Sequence, residues 1–598
     1  MTFTTFSEYL TKLGATSSRI EMMKILAELF QKLDGEEIEQ SSYLLEGRLV
    51  PQYFSLEFQL SVKMVLRSLA RIHASNEAGS ADGNTTLFGE ADNSVSETFA
   101  EKIYKTLGDI GLVAEQIIPA KKQSTLTISE VYHLLSDIAR ESGEGSQERK
   151  LAALIELLLQ LDPDSAKYVT RIIVGRMRLG FSTMTMLDAL SWATTGTKDS
   201  TEALEEAFQK KADFGKLARV YLEASDENAR EKALEKYDVE VGIPIVPQLC
   251  QRLNDPEEVI KKMTEVLVEP KYDGLRVQIH FVRHPKSSKL QYTAYTRNLE
   301  EVSAMFPELR KLAEYVSADT LILDAEAIGF DPKTGKLLLF QETMNRKRKH
   351  LITETAAKIP LRFFVFDVLS INGESLIAKK LRDRKDVLNK LFKKNDLFVQ
   401  TEYITTTDPK KLQTFHEQKL SEGLEGVVIK QVDAPYQSGR KNWYWVKLKE
   451  KTGTQGKLSD TLDVVVMGYY FGRGKRTVFG IGAFLVGVLE SENRFVTIAK
   501  IGTGLSDDQF KELKQRADTL VAKTQPKEYR VDKALFPDVW ITPEIVVEVA
   551  ADELTKSPNH SAGYALRFPR LVKFREDKDW QNATTLKEIQ EMLLGSNT

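Results

Sequence analysis

The stretch Val266-Leu267-Val268-Glu269-Pro270-Lys271-Tyr272-Asp273-Gly274-Leu275-Arg276-Val277-Gln278-Ile279-His280 decides how the rest of the chain is read. Val266 to Val268 suit a buried strand entering the tetrapeptide Lys271-Tyr272-Asp273-Gly274, and Val277 to Ile279 a strand leaving it, so Lys271 is expected where two strands meet. A lysine beside a carboxylate and a glycine is a candidate nucleophile, and the pattern suggests a covalent lysyl-nucleotide. An exposed ammonium with a pKa of about 10.4 is neutral in only about one molecule in a thousand near pH ~7.4, so the surroundings must supply roughly 4 kcal/mol. Gly274 would let the backbone approach a phosphate. So short a motif also arises by chance, and an exposed turn lysine is the plain alternative.

Length and composition frame the problem. The 598 residues imply three or more domains, and 42% hydrophobic with 28% charged residues describes globular domains with several cores. No apolar run approaches the roughly 20 residues that span a bilayer, and the start MTFTTFSEYLTKLG lacks the regions of a signal peptide, so a cytoplasmic protein without membrane partner is expected. One cysteine, Cys250, excludes an intrachain disulfide and a cysteine zinc site; it reads as a small core residue. A formal charge of -3 leaves room for local basic faces.

Residues 1 to 220 read as almost wholly helical. Met22, Met23, Leu26, Leu29, Phe30 and Leu33 recur at helical spacing behind a capping-box pattern of Ser18 and Glu21. SNEAGSADGNTT reads as an exposed loop. The segment from Gly143 to Lys150, with Gly145, Ser146 and Lys150, combines loop glycines, an N-cap serine and a basic first turn, which suits either phosphate binding or an ordinary interhelical turn. Arg176 and Arg178 in GRMRLG pose the same choice.

From about 240 to 450 short strands alternate with helices such as SAMFPELRKLAEYV; KTGTQGKLSDT then resembles a linker, and four later strand-like runs suit a small antiparallel barrel. Residues two apart on a strand share a face. Lys447 and Lys449 therefore point one way, toward a polyphosphate or as the guard of an exposed edge. Asp324 and Glu326 pair likewise, for a metal, a ribose or a solvated face, and Phe364 and Phe366 for base stacking or the core. Glu425 and Lys430, five apart, serve one site only if Glu425 precedes its strand and Gly426 permits a bend. The run Arg567 to Lys578 is strongly basic: a solvated strand, or a clamp on phosphate.

Taken in order, EPKYDGLR, YTRN, DAEAIGF, FFVFDVL, EGVVIK, WVKLK and LRFPRLVKFREDK resemble the nucleotidyltransferase motifs of ATP-dependent DNA ligases, of the replicative type shared by archaea and eukaryotes. The resemblance covers essentially the whole chain. It implies a multidomain fold: an all-α DNA-binding domain at 1–220, an α+β nucleotidyltransferase (adenylation) domain at 221–450 and a β-barrel OB-fold domain at 451–598. It further implies ATP and Mg2+ as cofactors, Lys271 as the adenylated nucleophile and Glu269 as reader of the adenine amino group. Arg276 and Arg297 would hold ribose and phosphate, Glu326 the ribose hydroxyls or a metal, Phe366 the adenine face and Glu425 a metal. Lys430, Lys447 and Lys449 would face phosphates, with either Arg440 or Lys441 beside them. Asp273 would orient Lys271, and Arg567, Arg570, Arg575, Asp577 and Lys578 would face pyrophosphate.

The implied reaction is the sealing of nicks in double-stranded DNA, in replication, repair and recombination, through a lysyl-AMP and an adenylated 5′-phosphate. Lys447, Lys449 and a metal are expected to disfavour the protonated form of Lys271. The barrel is expected to close for the first step and move away for DNA. Two departures stand out. The usual DGE reads Asp324-Ala325-Glu326, and the clamp-peptide stretch KKQSTLTISEVY has Gln123 without paired aromatics, which speaks against a sliding clamp as partner. Asn345-Arg346-Lys347-Arg348-Lys349 imitates a nuclear address inside the adenylation domain. The rivals are an NAD-dependent ligase, which would bring a cysteine zinc module, an RNA-capping guanylyltransferase, and a non-catalytic DNA-binding scaffold. A monomer is expected.

Overall fold

The computed structural model describes all residues except 82–92, 121–123, 254, 284–290, 339–341, 344–345, 347–358, 440–441, 450–460, 473–475, 477–478, 552 and 596–598. Gln123, Arg440, Lys441, the linker stretch up to 460 and most of the basic run at 345–349 thus lie outside the described residues. The chain divides into two compact units, Met1–Lys449 and Glu450–Thr598.

Up to residue 235 the elements among the described residues are helices, from Phe3–Ala15 to Glu227–Glu235. In the helix Arg19–Phe30, Ser18 Oγ accepts from the Glu21 amide, while the Glu21 carboxylate takes the Thr16 hydroxyl at 2.5 Å, so half of the expected capping box forms. Met22, Met23, Leu26, Leu29 and Phe30 are buried in one large helical core. The helix Val62–Ala81 runs through the first seven residues of SNEAGSADGNTT, because no proline stops it and its alanines favour helix. In SAMFPELRKLAEYV, Pro307 breaks the expected helix into the short turns Ser303–Met305, Pro307–Lys311 and Leu312–Tyr315.

Two sheets follow. The first contains β1 (Gln251–Arg252), β2 (Val266–Pro270), β9 (Ile404–Thr406), β10 (Gly426–Gln431) and β11 (Trp445–Lys449), in the order β1-β11-β10-β2-β9. The second contains β3 (Leu275–Val282), β4 (Gln291–Thr296), β5 (Thr320–Gly329), β6 (Leu361–Ile371), β7 (Glu374–Ser375) and β8 (Phe398–Gln400), ordered β4-β3-β5-β6-β7 with β8 beside β6. Each sheet has one apolar face. Val266, Val268, Val427, Ile429, Val446 and Leu448 form one core, and Val277, Ile279, Ala325, Ala327, Phe363 and Val365 belong to the other. Side-chain alternation puts Glu269, Lys430 and Lys447 on the other face of the first sheet and Arg276, Gln278, Asp324 and Glu326 on that of the second, beside apolar residues such as Trp445 and Ile322.

The second unit is built on β12 (Leu462–Phe471), β13 (Ile481–Ser491), β14 (Arg494–Ile501), β15 (Val521–Ala522), β16 (Tyr529–Arg530), β17 (Val539–Ile541), β18 (Val546–Ala550) and β21 (Arg570–Phe574), which form one mainly antiparallel eight-stranded sheet. A two-stranded ladder joins β19 (Glu553–Lys556) to β20 (Tyr564–Arg567). The sheet packs on the helix Asp507–Asp518, which is opened by a Ser506–Gln509 capping box. The described ladders establish a sheet-rich terminal domain; none joins β15 to β16 or β21 to close a ring.

Candidate active site

Strand register assembles the site. Arg276 on β3 lies opposite Glu326 on β5, which lies opposite Phe364 on β6; one row along, Gln278, Asp324 and Asp367 are aligned in the same way. A bulge between Asp324 and Ala325 inserts Phe366 into β6. In the other sheet Glu269 on β2 faces Val428 on β10 and then Lys447 on β11, while Leu267, Lys430 and Trp445 form the next row. Lys449, opposite Gly426, has the parity of Lys447. Lys271 connects β2 to β3. Its amide donates to Gly426 O at 2.8 Å and its carbonyl accepts from the Glu425 amide at 3.2 Å. Gly426, at φ +128°, makes the bend that sets Glu425 just ahead of β10.

Lys271 Nζ lies 2.5 Å from Glu425 Oε2, both side chains being 22% exposed. Burial works against the ammonium, but Glu425, with Glu326 nearby, outweighs it and holds the lysine pKa above its ordinary value. The neighbour that dominates Lys271 here is a carboxylate, whereas the expectation of a lowered pKa joined Lys447 and Lys449 to a metal. Glu326 is pushed up to about 7 by burial, against the pull of Lys271, Arg276 and the Gly274 amide. Gly274 has a reason other than phosphate approach. A Cβ there would meet Ile328 Cγ1 at 2.6 Å, Ala327 O at 2.7 Å and Glu326 Cγ at 2.9 Å, so the glycine lets the motif pack on β5.

Arg276 is a bidentate partner of Asp324 (2.9 and 2.6 Å) and donates through Nη1 to Gln248 O at 2.7 Å. Asp324 also accepts from Tyr436 at 3.0 Å. Glu269, 2% exposed, pairs through Oε1 with Lys385 and through Oε2 with Lys430 at 2.5 Å. Both carboxylate oxygens thus carry an ammonium partner, and each keeps a further lone pair as acceptor. Burial, aided by Lys385, lowers the Lys430 pKa against the pull of Glu269. Phe366 packs edge-on against Trp445 at 6.0 Å, with Lys430 4.4 Å and Arg276 5.4 Å from its ring centre; Phe364 is the ring stacked on Tyr272, at 4.2 Å. Cys250 is not a plain core residue. Burial raises its thiol pKa, and Arg276, Lys430, Lys271 and Lys447 oppose that shift. Arg297 is exposed on the turn after β4.

In the helical region Gly145, at φ +73°, precedes the helix Ser146–Gln160. Lys150 is 3% exposed and donates to Phe58 O and Ala139 O at 2.9 and 3.3 Å, which corrects its assignment to DNA. Arg178 binds Asp109 at 2.9 Å and Gly108 O at 2.7 Å, and both it and Arg176 are exposed. In the second unit Arg575 bridges Asp463 and Asp577, each at 2.8 Å, and Lys578 reaches Asp463 at 2.7 Å. Arg567 ends β20 and Arg570 begins β21, with Phe568 between them 60% exposed at φ +52°.

Lys385, Arg384, Tyr436 and Gln248 escape a reading by motif. LRDRKDVLNKL looks like a surface helix, and only the adjacent cations between Leu381 and Leu388 hint that two of them turn inward. Among the described residues no helix is long and apolar enough to cross a membrane, and no group of three or more ligating side chains is poised for a metal.

The model of the ATP dependent DNA ligase domain matches residues 247–449, that of the DNA ligase N terminus residues 2–191, and that of the ATP dependent DNA ligase C terminal region residues 478–578. The chain is 40% identical over 607 residues to a probable DNA ligase of Dictyoglomus turgidum, covering 100% of this chain and 98% of the relative. To a DNA ligase of Saccharolobus solfataricus it is 33% identical over 619 residues, covering 99% and 97%. Among solved structures, Pmar-Lig_PreS3 aligns over 95% of this chain and 99% of its own with a TM-score of 0.52 at 17% identity, a likeness of fold. The chain belongs to the ATP-dependent DNA ligase family.

Proposed function

We propose that the enzyme seals nicks in double-stranded DNA by three phosphoryl transfers. Lys271 Nζ attacks the ATP α-phosphorus and pyrophosphate leaves; the AMP passes to the 5′-phosphate of the nick; the 3′-hydroxyl then attacks that phosphate and expels AMP. The observation that carries the reading is Lys271 on Glu425, at the join between two sheets whose polar faces bear Arg276, Glu326, Lys430 and Lys447. Glu425 Oε2 holds the Lys271 ammonium, whose proton must leave as the nucleotide binds to give the amine that the attack needs.

Phe364 or Phe366 and Arg297 meet the nucleoside, Lys430, Lys447 and Lys449 with Arg440 or Lys441 meet the phosphates, and Asp273 orients Lys271. Arg567, Arg570, Arg575, Asp577 and Lys578 serve the pyrophosphate side, and Gly145, Ser146 and Arg176 touch the DNA backbone. Residues 1–220, 221–450 and 451–598 act as DNA-binding, adenylation and OB-fold domains. Glu425 and Glu326 are hard oxygen donors, and the buried Glu326 carboxyl would gain from a cation. The two carboxylates would suit Mg2+, which would supply charge neutralisation at the phosphates. A cytoplasmic monomer working in replication, repair, recombination and cell division fits this chemistry.

Incubation with ATP labelled at the α-phosphate tests the reading. Wild type should carry a covalent label that Lys271→Ala lacks, and should pass it to nicked duplex DNA. An unlabelled wild type refutes the mechanism, and a preference for GTP would instead indicate capping chemistry.

A further inference from the structure

Lys385 is a buried cation that the reaction above leaves unused. It sits beside Arg384 on the helix Leu381–Leu391, whose start is pinned by Leu381 N to Ala434 O at 2.9 Å and Arg382 N to Val432 O at 3.1 Å. Consecutive residues diverge by about 100° around a helix, so the two side chains reach different sheets. Arg384 grips Asp367 on β6 through Nε at 2.8 Å and Nη2 at 3.0 Å, whereas Lys385 pairs with Glu269 on β2.

Glu269 is therefore held between two ammonium groups, Lys385 on Oε1 and Lys430 on Oε2. Lys430, 1% exposed, makes no aligned hydrogen bond among the described residues despite its ion pair, and lies 4.4 Å from the Phe366 ring centre and 4.3 Å from that of Trp445. Its position depends on Glu269, and that of Glu269 on the balance of two lysines. Without Lys385 the carboxylate would be free to turn both oxygens to Lys430 and draw it off the rings.

We infer that Lys385 is a positioning residue for nucleotidyl transfer: it holds Glu269 against Lys430 and so keeps the Lys430 ammonium directed at the transferring phosphate. This rests on the nick-sealing reading. Full-length protein is given ATP labelled at the α-phosphate under single-turnover conditions, and the rate constant and the amplitude of lysyl-AMP formation are read at several ATP concentrations. Lys385→Met should lower the saturated rate constant at least tenfold, change the half-saturating ATP concentration less than threefold and keep the amplitude. Lys385→Arg should recover to within threefold. Arg382→Ala, on the exposed side of the same helix and paired with Asp433 and Glu265, should label at the wild-type rate. A wild-type rate constant in Lys385→Met, a loss confined to amplitude, or equal slowing in Arg382→Ala overturns the inference. If the methionine variant does not fold, Lys385→Gln decides by the same criteria. Labelled wild type with unlabelled Lys271→Ala is the baseline: if that fails, the ligase reading falls, whereas a normal Lys385→Met against a sound baseline removes only this inference.

Discussion

Replacing Gly274 by alanine separates two explanations of the same glycine. Its Cβ would stand 2.6 Å from Ile328 Cγ1, 2.7 Å from Ala327 O and 2.9 Å from Glu326 Cγ, about 1 Å inside ordinary contact. The isoleucine tip can turn away, but the Ala327 carbonyl belongs to β5 and cannot. Relief requires the motif and β5 to separate, a strain of about 1–3 kcal/mol by the measure of overpacked cores. The displaced groups include Glu326, which accepts from the Gly274 amide, and Lys271 three residues away. A shift of about 1 Å in a reacting group costs on the order of a hundredfold in rate. Single-turnover self-adenylation of Gly274→Ala should therefore slow roughly a hundredfold at saturating ATP, with a lower thermal midpoint. An unchanged midpoint with a defect confined to ATP affinity would refute the packing argument and restore the glycine to phosphate approach.

Other consequences are quickly checked. Burial pushes His280 down to about 3, so it stays neutral in the native state while the unfolded chain takes up a proton below about pH 6.5. The unfolded state then binds more protons between those values, and stability contributed by neutral His280 is lost as pH falls through that window. Ring-nitrogen NMR of histidine-labelled protein should find one imidazole still neutral at pH ~5; if all seven titrate near 6.5, the assignment fails. Asp367→Asn leaves Arg384 buried without its bidentate partner and should destabilise the first unit by about 3–5 kcal/mol in denaturant melts, an effect absent from a surface pair such as Arg382 with Asp433. Lys150→Met should lower stability by about 1–3 kcal/mol through the unsatisfied Phe58 and Ala139 carbonyls, yet leave the salt dependence of DNA binding unchanged; a shallower salt slope would return Lys150 to the DNA surface. Deleting residues 450–598 should cripple self-adenylation as well as sealing, and normal labelling of the truncated protein would remove the tail motif from the first step.

How much of this was legible in the sequence follows from how each feature is encoded. The apolar run VLV and the alternation in LRVQIH announce strands, and the parity of Asp324 with Glu326 and of Lys447 with Lys449 survives into the folded register. The bend at Gly426 that lets Glu425 precede β10 is likewise readable, because only a special backbone brings residues five apart to one site. What parity cannot supply is partnership. Arg276 with Asp324, Glu269 with Lys385 and Arg384 with Asp367 join segments 48, 116 and 17 residues apart, and each pairing depends on tertiary placement. The same limit explains Lys150. A lysine in a first turn looks like a phosphate ligand until the carbonyls it reaches belong to neighbouring helices.

The state of Lys271 also changes where its activation must come from. A nucleophile kept neutral by nearby cations would be reactive before ATP arrives and open to adventitious electrophiles. Here burial alone would lower its pKa, but Glu425 at 2.5 Å reverses that effect and keeps the amine capped by a proton. Whatever engages the Glu425 carboxylate therefore unmasks the lysine, with burial already favouring the neutral form. On the proposed mechanism, deprotonating Lys271 near neutral pH costs more than the roughly 4 kcal/mol of an ordinary lysine, and nucleotide binding is where that cost is met.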